Sequence, residues 1–310
     1  MKISETGEFG LIEKIKRSGS VSGRDVVIGI GDDAAVIKRS SKKYLLLTTD
    51  TLVEKVHFNL KYFTFYELGW KLLAVNISDI AAMGGVPRHA IITLGLNDSA
   101  SVENIDQFYK GIRVLAKKYN ISIVGGDIVS SPKSLFFTVD LYGEADKIVT
   151  RSGARPGDLI VSIGKLGGSS VGLRSLKKYG RNALKMMKAQ VLVHLMPVPM
   201  VKEGSEASKY ATSMIDNSDG LARCLIEICK ASNAGAKINL KNIPLAKGAS
   251  LKDAFEGGED YNLIITVPRN RAKSIKNGII IGEITKSKKI ILIIGKEKGI
   301  IMKSGGFEHF

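Results

Sequence analysis

The sequence predicts an α/β (α+β) protein of two domains, and three observations carry that prediction. The chain has 310 residues, more than one hydrophobic core usually organises. Short β-branched runs alternate with longer stretches of helical period in both halves. Between the halves, Thr150-Arg151-Ser152-Gly153-Ala154-Arg155-Pro156-Gly157-Asp158 is polar and holds both Pro and Gly, and an apolar run restarts at Leu159. Domains are therefore expected at 1–149 and 150–310.

Taken in order, residues 8–17 place Phe9, Ile12 and Ile15 on one helical face, and 26–30 read as a strand. Residues 35–38 and 44–49 form an expected hairpin around Arg39-Ser40-Ser41-Lys42-Lys43 that ends at Asp50. Helical period over 66–83 stops at Gly84-Gly85-Val86-Pro87, putting Asp79 near a helix C-terminus. Strands are expected over 89–96, 121–124 and 135–144, with a helix over 102–119. The second half offers strands at 159–163, 236–240, 261–267, 279–281 and 290–294, and a helix over 218–232.

No run of about 18 apolar residues occurs, and Met1-Lys2-Ile3-Ser4-Glu5 lacks a charged-then-apolar leader pattern, so a soluble cytoplasmic protein with no membrane partner is expected. Cys224 and Cys229 would face different sides of a helix and read as buried, reduced thiols. The net charge of +16 is uneven: residues 1–150 hold 19 Lys/Arg against 17 Asp/Glu, and residues 151–310 hold 27 against 13. The lysines of 269–303 punctuate apolar runs without aromatic interleaving, which favours a solvated surface over a nucleic-acid partner.

The chemistry lies in three acidic stretches: Ile28-Gly29-Ile30-Gly31-Asp32-Asp33-Ala34-Ala35, Ile123-Val124-Gly125-Gly126-Asp127 and Met214-Ile215-Asp216-Asn217-Ser218-Asp219-Gly220. Gly29-x-Gly31-x-x-Ala34 superficially matches a dinucleotide fingerprint, but the chain beyond Ala34 reads as a hairpin, and Asp32 and Asp33 would stand where a phosphate belongs. Singly, Asp216 or Asp219 could cap a helix, Asp127 could close a turn and Asp79 could be a surface acid. Their number shifts the balance. Asp33, Asp50, Asp79, Asp127, Asp216 and Asp219 all fall at ends of apolar segments or beside glycines, while four histidines and no zinc spacing offer little rival chemistry. Such carboxylates suit several magnesium ions bridged to a triphosphate.

The ordered motifs resemble the thiamine-monophosphate kinase family, of the superfamily that includes aminoimidazole ribonucleotide synthetase and selenophosphate synthetase. The resemblance runs through Gly7-Glu8-Phe9, residues 29–35, Thr48-Thr49-Asp50-Thr51-Leu52-Val53 with His57-Phe58, the run 74–84, Gly125-Gly126-Asp127, the stretch 150–158, residues 215–221 and Gly257-Gly258-Glu259-Asp260-Tyr261. No cysteine precedes Cys224, and the chain ends Gly305-Gly306-Phe307-Glu308-His309-Phe310, so the reactive cysteines of the selenophosphate and hydrogenase-maturation branches have no counterpart.

The resemblance implies transfer of the γ-phosphoryl group of ATP, as co-substrate, to thiamine monophosphate. It implies a homodimer formed through the N-terminal sheet domain and a C-terminal α/β domain that completes the site. By the same resemblance Asp33, Thr48, Thr49, Asp50, Asp79, Asp127, Asp216 and Asp219 hold several Mg2+ ions. Gly126, Asp127, Arg151 and Ser218 bind the nucleotide, and His57, Glu259 and Phe307 form the acceptor pocket. Phe307 stands where the family often has Tyr; it can stack on a thiazolium or pyrimidine ring but offers no hydroxyl. Two alternatives stay open: a synthetase of the same superfamily that activates an amide or carbonyl, and a basic, non-catalytic nucleotide- or nucleic-acid-binding protein.

Overall fold

The computed structural model describes residues 3–17, 23–40, 43–294, 299–302 and 304–307. Residues 41 and 42 of the expected hairpin turn, 295–298 and 303 of the lysine-rich stretch, and the terminal residues 1, 2 and 308–310 lie outside them.

The first half runs α1 (Ile3–Arg17), β1 (Val26–Ile28), β2 (Ala35–Ser40), β3 (Lys43–Val53), α2 (Phe65–Ala82), β4 (Val86–Leu96), α3 (Val102–Tyr119), β5 (Ser122–Ser130) and β6 (Phe136–Ala145). Its strands form a sheet in the order β1-β2-β3-β6-β4-β5. The second half runs β7 (Leu159–Ile163), α4 (Gly168–Tyr179), α5 (Ala183–Met186), α6 (Lys188–Leu195), α7 (Val201–Ala207), β8 (Ser213–Asp216), α8 (Leu221–Ala231), β9 (Gly235–Asn239), α9 (Leu251–Glu256), β10 (Leu263–Val267), β11 (Gly278–Thr285), β12 (Ile290–Ile293) and β13 (Ile300–Met302). Its sheet has the order β13-β12-β9-β11-β7-β10-β8. The two-domain α/β expectation is borne out.

Helix α2 is the hub. It starts on a reciprocal cap in which the Thr64 hydroxyl accepts from the Glu67 N–H while the Glu67 carboxylate accepts from the Thr64 N–H. Beyond that cap nearly every residue is buried, because the helix packs on β3, β4 and β6 on one side and on α3, α7 and β8 on others. Glycine makes this packing possible. A Cβ on Gly69 would lie 2.0 Å from the Phe108 carbonyl oxygen of α3, and one on Gly111 would lie 2.0 Å from that of Tyr66, so the two helices meet backbone to backbone. Phe108, Ile112 and Leu115 of α3 and Phe137, Val139 and Leu141 of β6 complete the first core.

The structure differs from the sequence reading in several places. The hairpin strand does not stop at Asp50: β3 continues to Val53 because β6 pairs with it from Tyr44 to Val53, Val53 opposite Phe136. Gly125-Gly126-Asp127 is not a turn but lies inside β5, carried through by pairing of Gly126 with Ile92 and Asp127 with Thr93. A Cβ on Gly126 would fall 2.1 Å from the Ile92 oxygen, so close strand approach selects this glycine. The helix expected from 218 begins at Leu221 with Gly220 as N-cap and no side-chain cap, so neither Asp216 nor Asp219 serves as one. Helices α4, α6 and α7 had no sequence expectation. Among the described residues no helix is long and apolar enough to cross a membrane.

The α2/α3 contact gives a direct stability test. Gly111→Ala should destabilise the protein by about 2–3 kcal/mol through overpacking, read as a lower urea midpoint at unchanged slope. An unchanged midpoint would show that the helices can separate at no cost.

Candidate functional site

A cavity of about 640 Å³ opens where the two sheets approach α2. Asp33 reaches it from the β1–β2 loop, Thr48, Thr49 and Asp50 from β3, Asp79 from the last turns of α2, Asp216 from the end of β8, and Ser218 and Asp219 from the β8–α8 loop. Arg151, His57, Glu259 and Phe307 also line it. Gly126 and Asp127 do not; Asp127 is exposed on β5, where it accepts from the Ile128 N–H.

Strand period explains part of the geometry. Leu46 and Leu52 are buried on the core face of β3, and Thr48 and Asp50 interrupt that apolar stripe at the same parity. Thr48 thereby meets α2, its hydroxyl donating to Asp79 Oδ2 at 2.5 Å. Ser78, one residue earlier on the helix, donates to Asp216 Oδ2 at 2.6 Å. Oxygens of Asp33, Asp79 and Asp216 all lie within 4.8 Å of one another.

Arg151 is no exposed linker residue. Its Nε and Nη2 donate to Asp33 Oδ1 at 3.1 and 2.6 Å, and its backbone N–H donates to the Asp32 carboxylate at 3.2 Å. Even so, the acids are under-compensated. Burial pushes the Asp33 carboxyl up despite Arg151. Burial and the neighbouring aspartates hold Asp79 and Asp216 well above the ordinary carboxylate range. Burial raises Asp32 to about 7, with Asp33 adding to it, and raises Asp50 to about 7, with Asp219 adding to it. Asp33 Oδ2 is buried and has no hydrogen-bond partner among the described residues. An all-oxygen set with a buried, unpartnered carboxylate oxygen fits a hard divalent cation, which would displace the protons that burial and repulsion otherwise retain.

The other side of the cavity is built by two loops zipped together. The Glu259 N–H donates to the Ser218 oxygen at 2.6 Å and the Tyr261 N–H to the Asn217 oxygen at 3.0 Å. Glu259 and Tyr261 both take left-handed conformations, φ 64° and 52°. Asp260 turns away and accepts from the Gly167 and Ser169 N–H groups at the start of α4. The Glu259 carboxylate meets Lys71 Nζ at 2.6 Å and His194 Nδ1 at 3.0 Å. Burial by itself would raise its pKa, but Lys71 and His194 hold it well below the usual range. His57 Nδ1 accepts from the Val53 N–H at 3.0 Å, which fixes the ring at the rim. The Phe307 N–H donates to the Asp219 oxygen at 3.0 Å and ties the C-terminal segment to the acidic loop.

Sequence reasoning missed Lys71, His194 and the capping role of Asp260. One signal was available: Lys71 stands in the otherwise apolar stretch Leu68-Gly69-Trp70-Lys71-Leu72-Leu73, and a cation buried there needs a carboxylate.

Two sheet-bearing halves closing on a shared carboxylate cluster define a class. Residues 31–145 match the family described as AIR synthase related protein, N-terminal domain, and residues 155–295 match its C-terminal domain. Within that class the chain belongs to the thiamine-monophosphate kinase family. It is 38% identical to the thiamine-monophosphate kinase of Buchnera aphidicola subsp. Schizaphis graminum over 99% of each chain. It is 34% identical to that of Aquifex aeolicus over 100% of each. The solved structure of AaThiL complexed with AMPPCP and TMP superposes with a TM-score of 0.88 at 32% identity, covering 100% of this chain and 99% of that one.

The raised carboxyls have a thermodynamic consequence. Asp32 and Asp50 keep their protons to about 7 in the folded chain against an ordinary value of 3.8. Between those values the folded state binds more protons than the unfolded one, so metal-free protein should lose stability as pH rises from about 4 to about 7. Melting temperatures in chelator should fall across that window, and magnesium should raise them most at its upper end. A melting temperature in chelator that climbs with pH would contradict this assignment.

Proposed function

We propose that this chain phosphorylates thiamine monophosphate with ATP, giving thiamine diphosphate and ADP. The observation that carries the proposal is one cavity with the Asp33, Asp79 and Asp216 carboxylates and Arg151 on one side, and His57, Glu259 and Phe307 on the other. The full-length likeness to thiamine-monophosphate kinases and to a complex with AMPPCP, an ATP analogue, supports it.

The acceptor's phosphate has a second pKa near 6 and is mostly a dianion at pH 7. No side chain needs to deprotonate it, and no residue is assigned as acid or base. The difficulty is bringing two highly anionic groups together. Magnesium bound by Asp33, Thr48, Thr49, Asp50, Asp79, Asp216 and Asp219 would supply the positive charge that screens them. Thr48 and Ser78 hold Asp79 and Asp216 in fixed orientation. Arg151, already in the acidic cluster, offers further guanidinium N–H groups to a phosphate, beside Ser218. His57, Glu259 and Phe307 seat the organic part of the acceptor.

The division into domains 1–149 and 150–310 belongs to the same proposal, with the first pairing as a homodimer through β5. That strand supports the reading: among the described residues it pairs with β4 alone, and Val124 and Ile128 on it are 59% and 67% exposed. An unpaired apolar edge invites a second strand. It would also engage Gly126 and Asp127, the two assigned residues outside the cavity. A cytoplasmic setting agrees with the two free, buried thiols.

Purified protein given ATP, thiamine monophosphate and magnesium should yield thiamine diphosphate on chromatography, with none in chelator or without acceptor. Asp216→Asn should cut kcat/KM at least about 100-fold while the fold persists. No product from folded, ATP-binding protein would move the search to other acceptors. Ile128→Lys should convert dimer to monomer by light scattering; a dimer that survives it would place the interface elsewhere.

A further inference from the structure

Lys71 is fully buried in the middle of α2, and its ammonium makes an ion pair with Glu259 Oε1 at 2.6 Å. The face of Phe63 lies 5.3 Å from the same ammonium. His194, on α6, is 2% exposed, and its Nδ1 lies 3.0 Å from Glu259 Oε2. Two helices thus tether the two oxygens of one carboxylate, while the Glu259 side chain remains 26% exposed towards the cavity.

The donor and acceptor count gives this wall a polarity. A carboxylate oxygen accepts at about two sites, so each Glu259 oxygen keeps capacity for a ligand after its tether. Burial lowers the His194 pKa, with Lys71 acting in the same direction and Glu259 opposing both. Its Nδ1 is shared between Glu259 and the Ser169 hydroxyl, which also lies 3.0 Å away, and Nε2 is buried without a hydrogen-bond partner among the described residues. Lys71 cancels the charge of Glu259, so the group as a whole is close to neutral. Such a wall has little to offer a phosphate. It is suited to a neutral N–H donor, which it can bind without leaving a charge unpaired.

We infer that Lys71, Glu259 and His194 form the subsite that reads the exocyclic amine of the acceptor's aminopyrimidine, with Lys71 and His194 acting as positioning residues that hold the Glu259 carboxylate as an amine acceptor. This rests on the thiamine monophosphate reading. It assigns the pyrimidine end to this wall and leaves the phosphate end to the acidic cluster. Lys71 acts through Glu259: without the ammonium, burial would protonate or reorient the carboxyl, turning an acceptor into a donor.

The test uses steady-state kinetics with thiamine monophosphate and with its analogue bearing oxygen in place of the pyrimidine amine. The wild type should prefer the amine by about 100-fold or more in kcat/KM, since a site built for an N–H rejects a ligand lacking it. Lys71→Met and His194→Phe should each raise the KM for thiamine monophosphate about 10- to 100-fold, leave the KM for ATP within about twofold and collapse the preference for the amine. In a Glu259→Gln background, Lys71→Met should add less than about twofold, because residues acting as a unit are not additive. Equal losses for both acceptors, a parallel rise in the ATP KM, or multiplicative loss in the double variant would overturn the inference. If Lys71→Met does not fold, His194→Phe with Glu259→Gln makes the same comparison. Wild-type protein that phosphorylates neither acceptor would instead overturn the functional reading on which the subsite rests.

Discussion

Repulsion among buried carboxylates governs this structure. Asp33, Asp79 and Asp216 hold oxygens within 4.8 Å of one another, and Asp50 adds to the field at Asp79. At such separations in a partly dry site, like charges cost several kcal/mol unless protons, cations or donors intervene. Every neighbour is arranged to meet that constraint. Arg151 contacts Asp33, Thr48 donates to Asp79 and Ser78 donates to Asp216, yet among the described residues Asp33 Oδ2 is still unmatched. The shortfall in positive charge leaves the cluster suited to take up a cation.

Holding such a cluster requires a rigid support, and α2 supplies it. The helix is buried almost all round, pressed against α3 through Gly69 and Gly111, and met by α7 at Gly204, where a Cβ would lie 2.2 Å from the Ala81 oxygen. Its few polar residues are therefore committed. Ser78 and Asp79 serve the acidic end of the cavity, and Lys71, two turns earlier, serves Glu259. One helix thus spaces the carboxylate cluster from the Glu259 ion pair. The Glu259 loop is fixed from the other side by its backbone bonds to Asn217 and Ser218, so both ends share the β8–α8 connection.

Much of the site was legible because its residues sit where local rules are broken. Asp32 and Asp33 follow glycines, Asp50 closes an apolar strand run, and Asp216 ends a buried strand with the pattern Ser213-Met214-Ile215-Asp216, whereas Thr48 is marked only by the family resemblance. Such polar intrusions are costly unless functional. Less visible were elements whose form depends on partners. β5 runs through two glycines because β4 supplies its hydrogen bonds, and β3 outruns its expected end because β6 pairs with it as far as Val53. The region of α4 to α7 is made of short helices that propensity alone does not sustain.

The sequence by itself determined the two-part α/β organisation, the identity of the acidic residues and the ordered motifs that mark the family, since each is written in local spacing and residue type. Only the tertiary structure decided which acids converge, that Arg151 joins them, that Asp127 stands apart on an exposed edge, and that Lys71 and His194 grip Glu259. The reason is physical. Charge pairing and desolvation act through space between groups far apart along the chain, and no periodicity in one segment records where another segment will place its charge.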